Sequence, residues 1–253
     1  MSDELKRCPF CDEEIRVKAL ICKHCGQWMP GYTYESAIRD MVIQKQVTEL
    51  KASEPVEART REEQFQLVLN WAGSEKKFSA KGFDLSAQTL NGVDLSGIDL
   101  SEANLRETDL AGANLSGADL SRANLFSANL KGANLQRAKL SEAYMRSAIL
   151  EYADLSGASL LRANLRGAFM DQAILVRVDM EGANLKGADL RGVNFRESYL
   201  KETSLEGAKM EGAVLRGALL IRANLTGSDV MTFQLERART LEGTILPNGE
   251  VHE

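Results

Sequence analysis

The segment CPFCDEEIRVKALICKHCG, Cys8 to Gly26, holds all four cysteines of the chain. Cys8 and Cys11 form one C-x-x-C and Cys22 and Cys25 a second, with ten residues between the pairs. Each pair makes a tight turn offering two thiolates, and two such turns that meet supply the tetrahedral donor set of Zn2+. Four thiolates fill the coordination sphere and leave no position for a water, so the expected metal is structural and not catalytic. His24 stands between two ligands and reads as a surface residue. Through Pro30 the five bases Lys6, Arg7, Arg16, Lys18 and Lys23 are matched by Asp3, Glu4, Asp12, Glu13 and Glu14. That balance argues against direct nucleic-acid binding.

Little else in the chain points to catalysis. The only histidines are His24 and His252, so no His-centred acid–base pair or triad is available. No glycine-rich phosphate loop appears, and the carboxylates fall at positions that read as solvated turns. The protein is expected not to be an enzyme. Its net charge of −5 is mild for 253 residues, and 44 % apolar content is that of a folded core. No apolar run approaches the roughly 18 residues of a membrane span, and MSDELKRC lacks the hydrophobic stretch of a signal peptide. A cytoplasmic protein with no membrane association is expected.

Two helices are expected between the cysteines and residue 78. Residues 36–52 contain neither Gly nor Pro and place Ala37, Ile38, Met41, Val42 and Leu50 on a loose helical face. Thr60 and Glu63 have the spacing of a capping box, and Phe65, Val68, Leu69 and Ala72 follow at helical spacing before Gly73.

From Phe83 a five-residue pattern takes over. The central residue, position i, falls at each multiple of five from Leu85 to Leu235, and 25 of these 31 positions are Leu. The others are Met145, Met170, Met180, Phe195, Met210 and Val230, so none is polar. At i−2, 20 of 31 residues are Ala, which makes one inward site wide and the other narrow. Position i−1 is mostly Asp or Asn, and i+2 is often Gly, Arg, Glu or Ser. A five-residue period fits neither helix nor strand. In a short extended segment residues i−2 and i point the same way, and the remaining residues must turn the chain before the next pair points inward. Repeated turns of one hand make a coil, and coils stack through main-chain hydrogen bonds. Phe83 and Phe233, oversized for the i−2 site and placed at its ends, read as plugs. Leu241 and Leu246 mark a one-residue slip, and Pro247-Asn248-Gly249 reads as a closing turn.

The pattern Ala103-Asn104-Leu105, repeated at Ala113-Asn114-Leu115 and Ala133-Asn134-Leu135, resembles the pentapeptide-repeat family over about 60 % of the chain. The resemblance implies a mainly β fold, a right-handed quadrilateral β-helix with four pentads per coil. The cysteine segment is similar to short bacterial zinc-ribbon modules. The expected organisation is a zinc ribbon over 1–30, a helical linker and cap over 31–78, the β-helix over 79–246 and a tail over 247–253.

With 20 residues per coil, outward columns become readable. One runs Glu102, Arg122, Glu142, Arg162, Gly182, Glu202, Arg222 and reads as a surface ion-pair ladder. Charge is uneven along the repeat, −6 over 84–120 and +4 over 121–178. Outward positions should be polar, yet Phe126, Tyr144, Ile149, Tyr152, Phe169, Ile174 and Val176 cluster within about three coils, rimmed by Lys131, Arg146, Asp171 and Arg177. A non-enzymatic scaffold that offers this patch and the zinc ribbon to an unidentified protein partner, or to a second copy of itself, is the leading reading. Some members of the resembled family mimic duplex DNA, bind type II topoisomerases and confer quinolone resistance. In that alternative Asp94, Asp99, Asp109 and Asp119 would be the contacts.

Overall fold

The computed structural model describes Leu5–Arg7, Glu14–Arg16 and residues 59–71 and 79–253. The chain divides into two compact units, Met1–Pro55 and Val56–Glu253. In the first, strands β1 (Leu5–Arg7) and β2 (Glu14–Arg16) pair antiparallel, with Leu5 opposite Arg16 and Arg7 opposite Glu14. The four cysteines, the helix expected over 36–52, and Ala72 and Gly73 lie outside the described residues.

The second unit opens with helix α1 (Arg61–Trp71). Its start has the capping-box geometry: Glu63 N donates to Thr60 Oγ1 at 3.3 Å and Thr60 N to Glu63 Oε2 at 3.0 Å. Gln64, Leu67 and Val68 form its buried side, whereas Phe65 and Leu69 are only half-buried. The apolar spacing favours Phe65 and Leu69 instead. A polar residue displaces them because Gln64 has a backbone partner to reach: its Oε1 accepts from Asp84 N at 2.6 Å.

From Ser79 each i−1 residue forms a parallel bridge with the residue 20 positions on, from Ser79–Asp99 through Ser204–Asn224. Four pentads therefore complete one coil. Along most of the coil residue i donates up the stack and residue i−1 donates down, as in Leu85 N to Asn104 O at 2.8 Å and Asn104 N to Phe83 O at 2.8 Å. The strands are too short for a conventional sheet, and the β character resides in single bridges. We number the faces by their i−1 columns: first, Asp84 and Asn104; second, Asp109 and Asn129; third, Asp94 and Asn114; fourth, Asp99 and Asp119.

The corners explain the sequence at i+2. All thirty i+2 positions from 82 to 227 have φ between 52° and 74°, fifteen of them Gly and fifteen not. Only Gly adopts this left-handed region without strain, and no β-branched residue occurs there. Inside the coil the wide and narrow sites hold as read: Leu135 and Ala133 are buried, as are Met145, Met170, Met180, Phe195 and Met210. Where Thr replaces Ala at i−2 the hydroxyl finds a carbonyl, Thr108 Oγ1 to Leu85 O and Thr203 Oγ1 to Met180 O, both at 2.9 Å.

The coil ends differently from how it begins. Phe83 is fully buried, with the Arg59 guanidinium 5.6 Å above its ring. Phe233 does not plug the other end. It is 65 % exposed, because the chain leaves the ladder and forms the single-turn helix α2 (Thr232–Leu235), so no i−2 site exists there. Two side chains replace the backbone groups that the missing rung would have supplied. Asp229 Oδ1 accepts from Met210 N, and Gln234 Nε2 donates to Met210 O at 2.9 Å and Ala213 O at 2.8 Å. Beyond α2 the bridges resume one residue out of step, Leu219–Thr240 and Asn224–Ile245. The chain then turns at 247–249, and Val251 pairs antiparallel with Ile245.

Two sets of substitutions test this account in denaturant unfolding. Leu135→Ala should cost about 2 to 5 kcal/mol through the cavity it leaves mid-coil, and Ala133→Phe should also destabilise by overfilling the narrow site. Gln234→Ala should cost about 1 to 3 kcal/mol, because it strips a buried donor from two carbonyls.

Candidate interaction surfaces

The apolar side chains singled out by sequence are outward and adjacent. Phe126 and Tyr144 stack with ring centroids 6.1 Å apart and planes inclined by 13°. The Arg106 guanidinium lies 4.7 Å from the centre of the Phe126 ring. Ile149 and Phe169 are bridge partners on neighbouring coils of the second face, and Tyr152 stands at the corner between the second and third faces. Tyr152 is 57 % exposed and Phe169 48 %. Ile174 is exposed on the third face, whereas Ile149, Phe126 and Val176 are half-buried. Of the rim, Lys131 pairs with Glu151 at 2.8 Å and lies 5.7 Å over the Tyr152 ring, and Arg177 pairs with Glu197 at 2.9 Å.

Corner charges pair along columns 20 residues apart: Arg122 with Glu142 at 3.1 Å, Lys186 with Glu206 at 2.7 Å, Lys201 with Glu181 at 2.8 Å and Arg222 with Glu202 at 3.2 Å. These are solvent-exposed pairs, each worth at most about 1 kcal/mol. The column read as a ladder is thus joined in two places and not throughout.

The four aspartates of the acidic end do not share a face. Asp94 lies on the third, Asp109 on the second, and Asp99 and Asp119 on the fourth. All four are engaged in building the coil. Their Oδ1 atoms accept from the backbone N–H two residues on, at Ser96, Ser101, Ala111 and Ser121, at 3.0 to 3.1 Å. Asp94 and Asp109 also accept from Asn114 and Asn129 one coil away, at 2.8 and 2.9 Å. Hydrogen bonds from the Ser96 backbone and hydroxyl hold the Asp94 carboxyl below the usual aspartate range. Partial burial pushes Asp99 and Asp119 up, but hydrogen bonds outweigh it, from Ser101 and Ser79 for Asp99 and from Ser121 and Lys139 for Asp119. Both are left lowered. Asp154 is lowered in the same way, the desolvation of its site being outweighed by Ser156 and Gln136.

A corner that repeats every five residues and a bridge that repeats every 20 are matched at the level of sequence by the pentapeptide-repeat profile, over residues 89–126, 123–160, 158–197 and 198–232. The chain belongs to the pentapeptide-repeat family. Among solved structures it is similar to HetL, a pentapeptide-repeat protein involved in heterocyst differentiation regulation in the cyanobacterium Nostoc sp. strain PCC 7120. The two share 33 % identity over 69 % of this chain and 87 % of HetL, with a TM-score of 0.51. Full-length QnrB1, a plasmid-mediated fluoroquinolone resistance protein, aligns at 18 % identity over 65 % of this chain and 94 % of its own, with a TM-score of 0.26. A pentapeptide-repeat protein of the Arabidopsis thaliana thylakoid lumen aligns at 36 % identity over 44 % of this chain and 70 % of its own, with a TM-score of 0.21. No curated protein sequence matches the chain. Among the described residues no helix is long and apolar enough to cross a membrane.

Sequence reasoning on this pentapeptide-repeat chain missed two sets of residues. Gln64 and Gln234 gave no signal, because a glutamine in a helix is ordinarily a surface residue. Arg196, Arg216 and Arg237, which adjoin Phe233, become one column only through the slip that Leu241 and Leu246 announce.

The depressed aspartates fix the sign of an acid response. Their charged forms are the ones hydrogen-bonded in the folded state, so the stability they contribute is complete above the unfolded aspartate value of 3.8 and is lost as pH falls through the lower folded values. Unfolding free energy should therefore be level from neutral pH to about pH 5 and decline in stronger acid. Asp154→Asn keeps the Oδ1 acceptor while removing the charge, and should flatten part of that decline in thermal melts run from about pH 6 to about pH 2.

Proposed function

We propose that this protein is a non-enzymatic interaction or scaffold protein, in which the β-helix presents a protein-binding face and an N-terminal four-cysteine zinc module presents a second contact. The observation that carries the reading is the cluster of outward apolar residues Phe126, Tyr144, Ile149, Tyr152 and Phe169, with Ile174 and Val176 nearby, in which Phe126 stacks on Tyr144 and Ile149 is the bridge partner of Phe169. Interfaces are enriched in such aromatic residues, with a polar rim. Tyr152 adds weight. Among the described residues it is the one aromatic of the fifteen non-glycine residues with left-handed backbone, a bulky side chain held where the fold often uses Gly. These side chains lie on the outside of the coil, outside the buried Leu and Ala positions. Phe169→Asp combined with Ile149→Ser should abolish partner capture or self-association while shifting the melting temperature little. An unchanged pull-down profile and unchanged oligomeric state would remove the cluster from the reading.

For the zinc module, Cys8, Cys11, Cys22 and Cys25 are the proposed ligands of a structural Zn2+. The fit rests on the donor chemistry and on β1 and β2, whose pairing brackets the first C-x-x-C: Arg7, the last paired residue of β1, directly precedes Cys8. Bound metal would fold a segment too short to hold a core of its own. Chelation of the purified protein should release about one equivalent of zinc and leave the cooperative unfolding of residues 79–253 unchanged.

The alternative role as a DNA mimic asks for a continuous acidic face. Asp94, Asp99, Asp109 and Asp119 divide among three faces, and Asp119 is paired with Lys139 at 3.3 Å. Gyrase supercoiling is accordingly expected to proceed unaltered with the protein present at micromolar concentration.

A further inference from the structure

The corner between the third and fourth faces gathers three arginines on successive coils. Glu197 N donates to Arg216 O at 3.1 Å and Gly217 N to Arg237 O at 2.9 Å, which places Arg196, Arg216 and Arg237 on three successive coils of one column. In an unbroken 20-residue period the third member would be Glu236. The one-residue slip introduced by α2 puts an arginine there instead. At several other corners cations are joined to carboxylates one coil away. Here the nearby carboxylate of Glu197 is taken by Arg177, and among the described residues Arg196, Arg216 and Arg237 form no ion pair.

Beside this column lies an open depression of about 360 Å³ whose lining contains no carboxylate. Its lining brings the three arginines together with Val214 and the exposed ring of Phe233. The depression exists because α2 bulges from the coil, and Gln234, buried and bonded to Met210 O and Ala213 O, fixes α2 in place. Guanidinium forks match the oxygens of phosphate in a bidentate manner. With coils about 4.8 Å apart the three span roughly 10 Å, which suits a chain of phosphates better than a single one. An exposed aromatic ring in the same lining suits a planar ring.

We propose that the depression lined by Arg196, Arg216, Arg237 and Phe233 binds an oligophosphate, with Phe233 against the ring of a nucleoside di- or triphosphate. This site is separate from the apolar cluster and does not depend on it. The test is isothermal titration of the full-length protein with adenosine triphosphate, inorganic tripolyphosphate and adenosine. Adenosine triphosphate and tripolyphosphate should bind and adenosine should not. Arg216→Gln and Arg196→Gln should each weaken the two phosphate ligands at least tenfold, with Arg216→Lys intermediate. Arg137→Gln, on a distant coil, should leave both affinities unchanged. Phe233→Ala should weaken adenosine triphosphate alone, which identifies a nucleotide as the ligand in place of free polyphosphate. All these side chains are exposed, and unchanged thermal melts would show that the variants fold. Absence of binding by either phosphate ligand at millimolar concentration would overturn the proposal. So would equal weakening by Arg137→Gln, which would reduce the effect to general charge.

Discussion

The main-chain ladder between coils is the interaction on which the rest of this structure depends. A coil of 20 residues has no hydrogen-bond partners within itself beyond its corner turns, so its N–H and C=O groups are satisfied by the coil above and the coil below. That requirement forces the chain to turn four times per coil with the same geometry. The left-handed residue at each i+2 position is the local cost, met by Gly at half the corners and by tolerant non-β-branched residues at the rest. The ladder begins at one end and is interrupted near the other, and both places use the same device. The side-chain carbonyl of Gln64 accepts from Asp84 N at the first coil, and the side-chain amide of Gln234 donates to Ala213 O at the interruption. A glutamine amide carries the same donor and acceptor as the peptide group for which it substitutes.

The Asp and Asn residues at i−1 follow from the same constraint. Their Oδ1 atoms receive the corner N–H two residues on, and where two of them are stacked the amide of one reaches the oxygen of the next, as in Asn104 with Asp84 at 3.0 Å and Asn134 with Asn114 at 3.2 Å. Asn and Asp are interchangeable in the first task, which is why a column can change charge without changing shape. The acidity of the first coils therefore reflects the choice between two equivalent corner residues, and it need not signal an acidic ligand surface.

Much of this architecture was legible in the sequence because the inward positions obey a short, unbroken code: Leu at i and Ala at i−2 announce themselves wherever the ladder is intact. The number of pentads per coil was not legible from residues, since a five-residue period is equally compatible with other closures, and it came from family resemblance. Given that number, adjacency on the surface could be read by counting, as for Ile149 with Phe169. The code failed where the ladder does. Phe233 and Leu235 keep the spacing of inward residues, but Phe233 projects outward from α2 and only Leu235 stays buried. At the other end the amphipathic spacing of α1 favoured Phe65 over Gln64, because periodicity weighs apolarity and takes no account of an unpaired backbone group that a polar side chain can satisfy.

The interior and the exterior of this coil are written with different periods, five residues inside and 20 outside. Loss or duplication of a single pentad would leave each inward position occupied by the same kind of residue, yet it would rotate everything downstream by a quarter turn relative to everything upstream. Ile149 and Phe169 would part, and the arginine column would face another way, with hardly a change in the buried core. Surface recognition in such a protein can be rearranged by a change in length alone, independently of the residues that keep it folded.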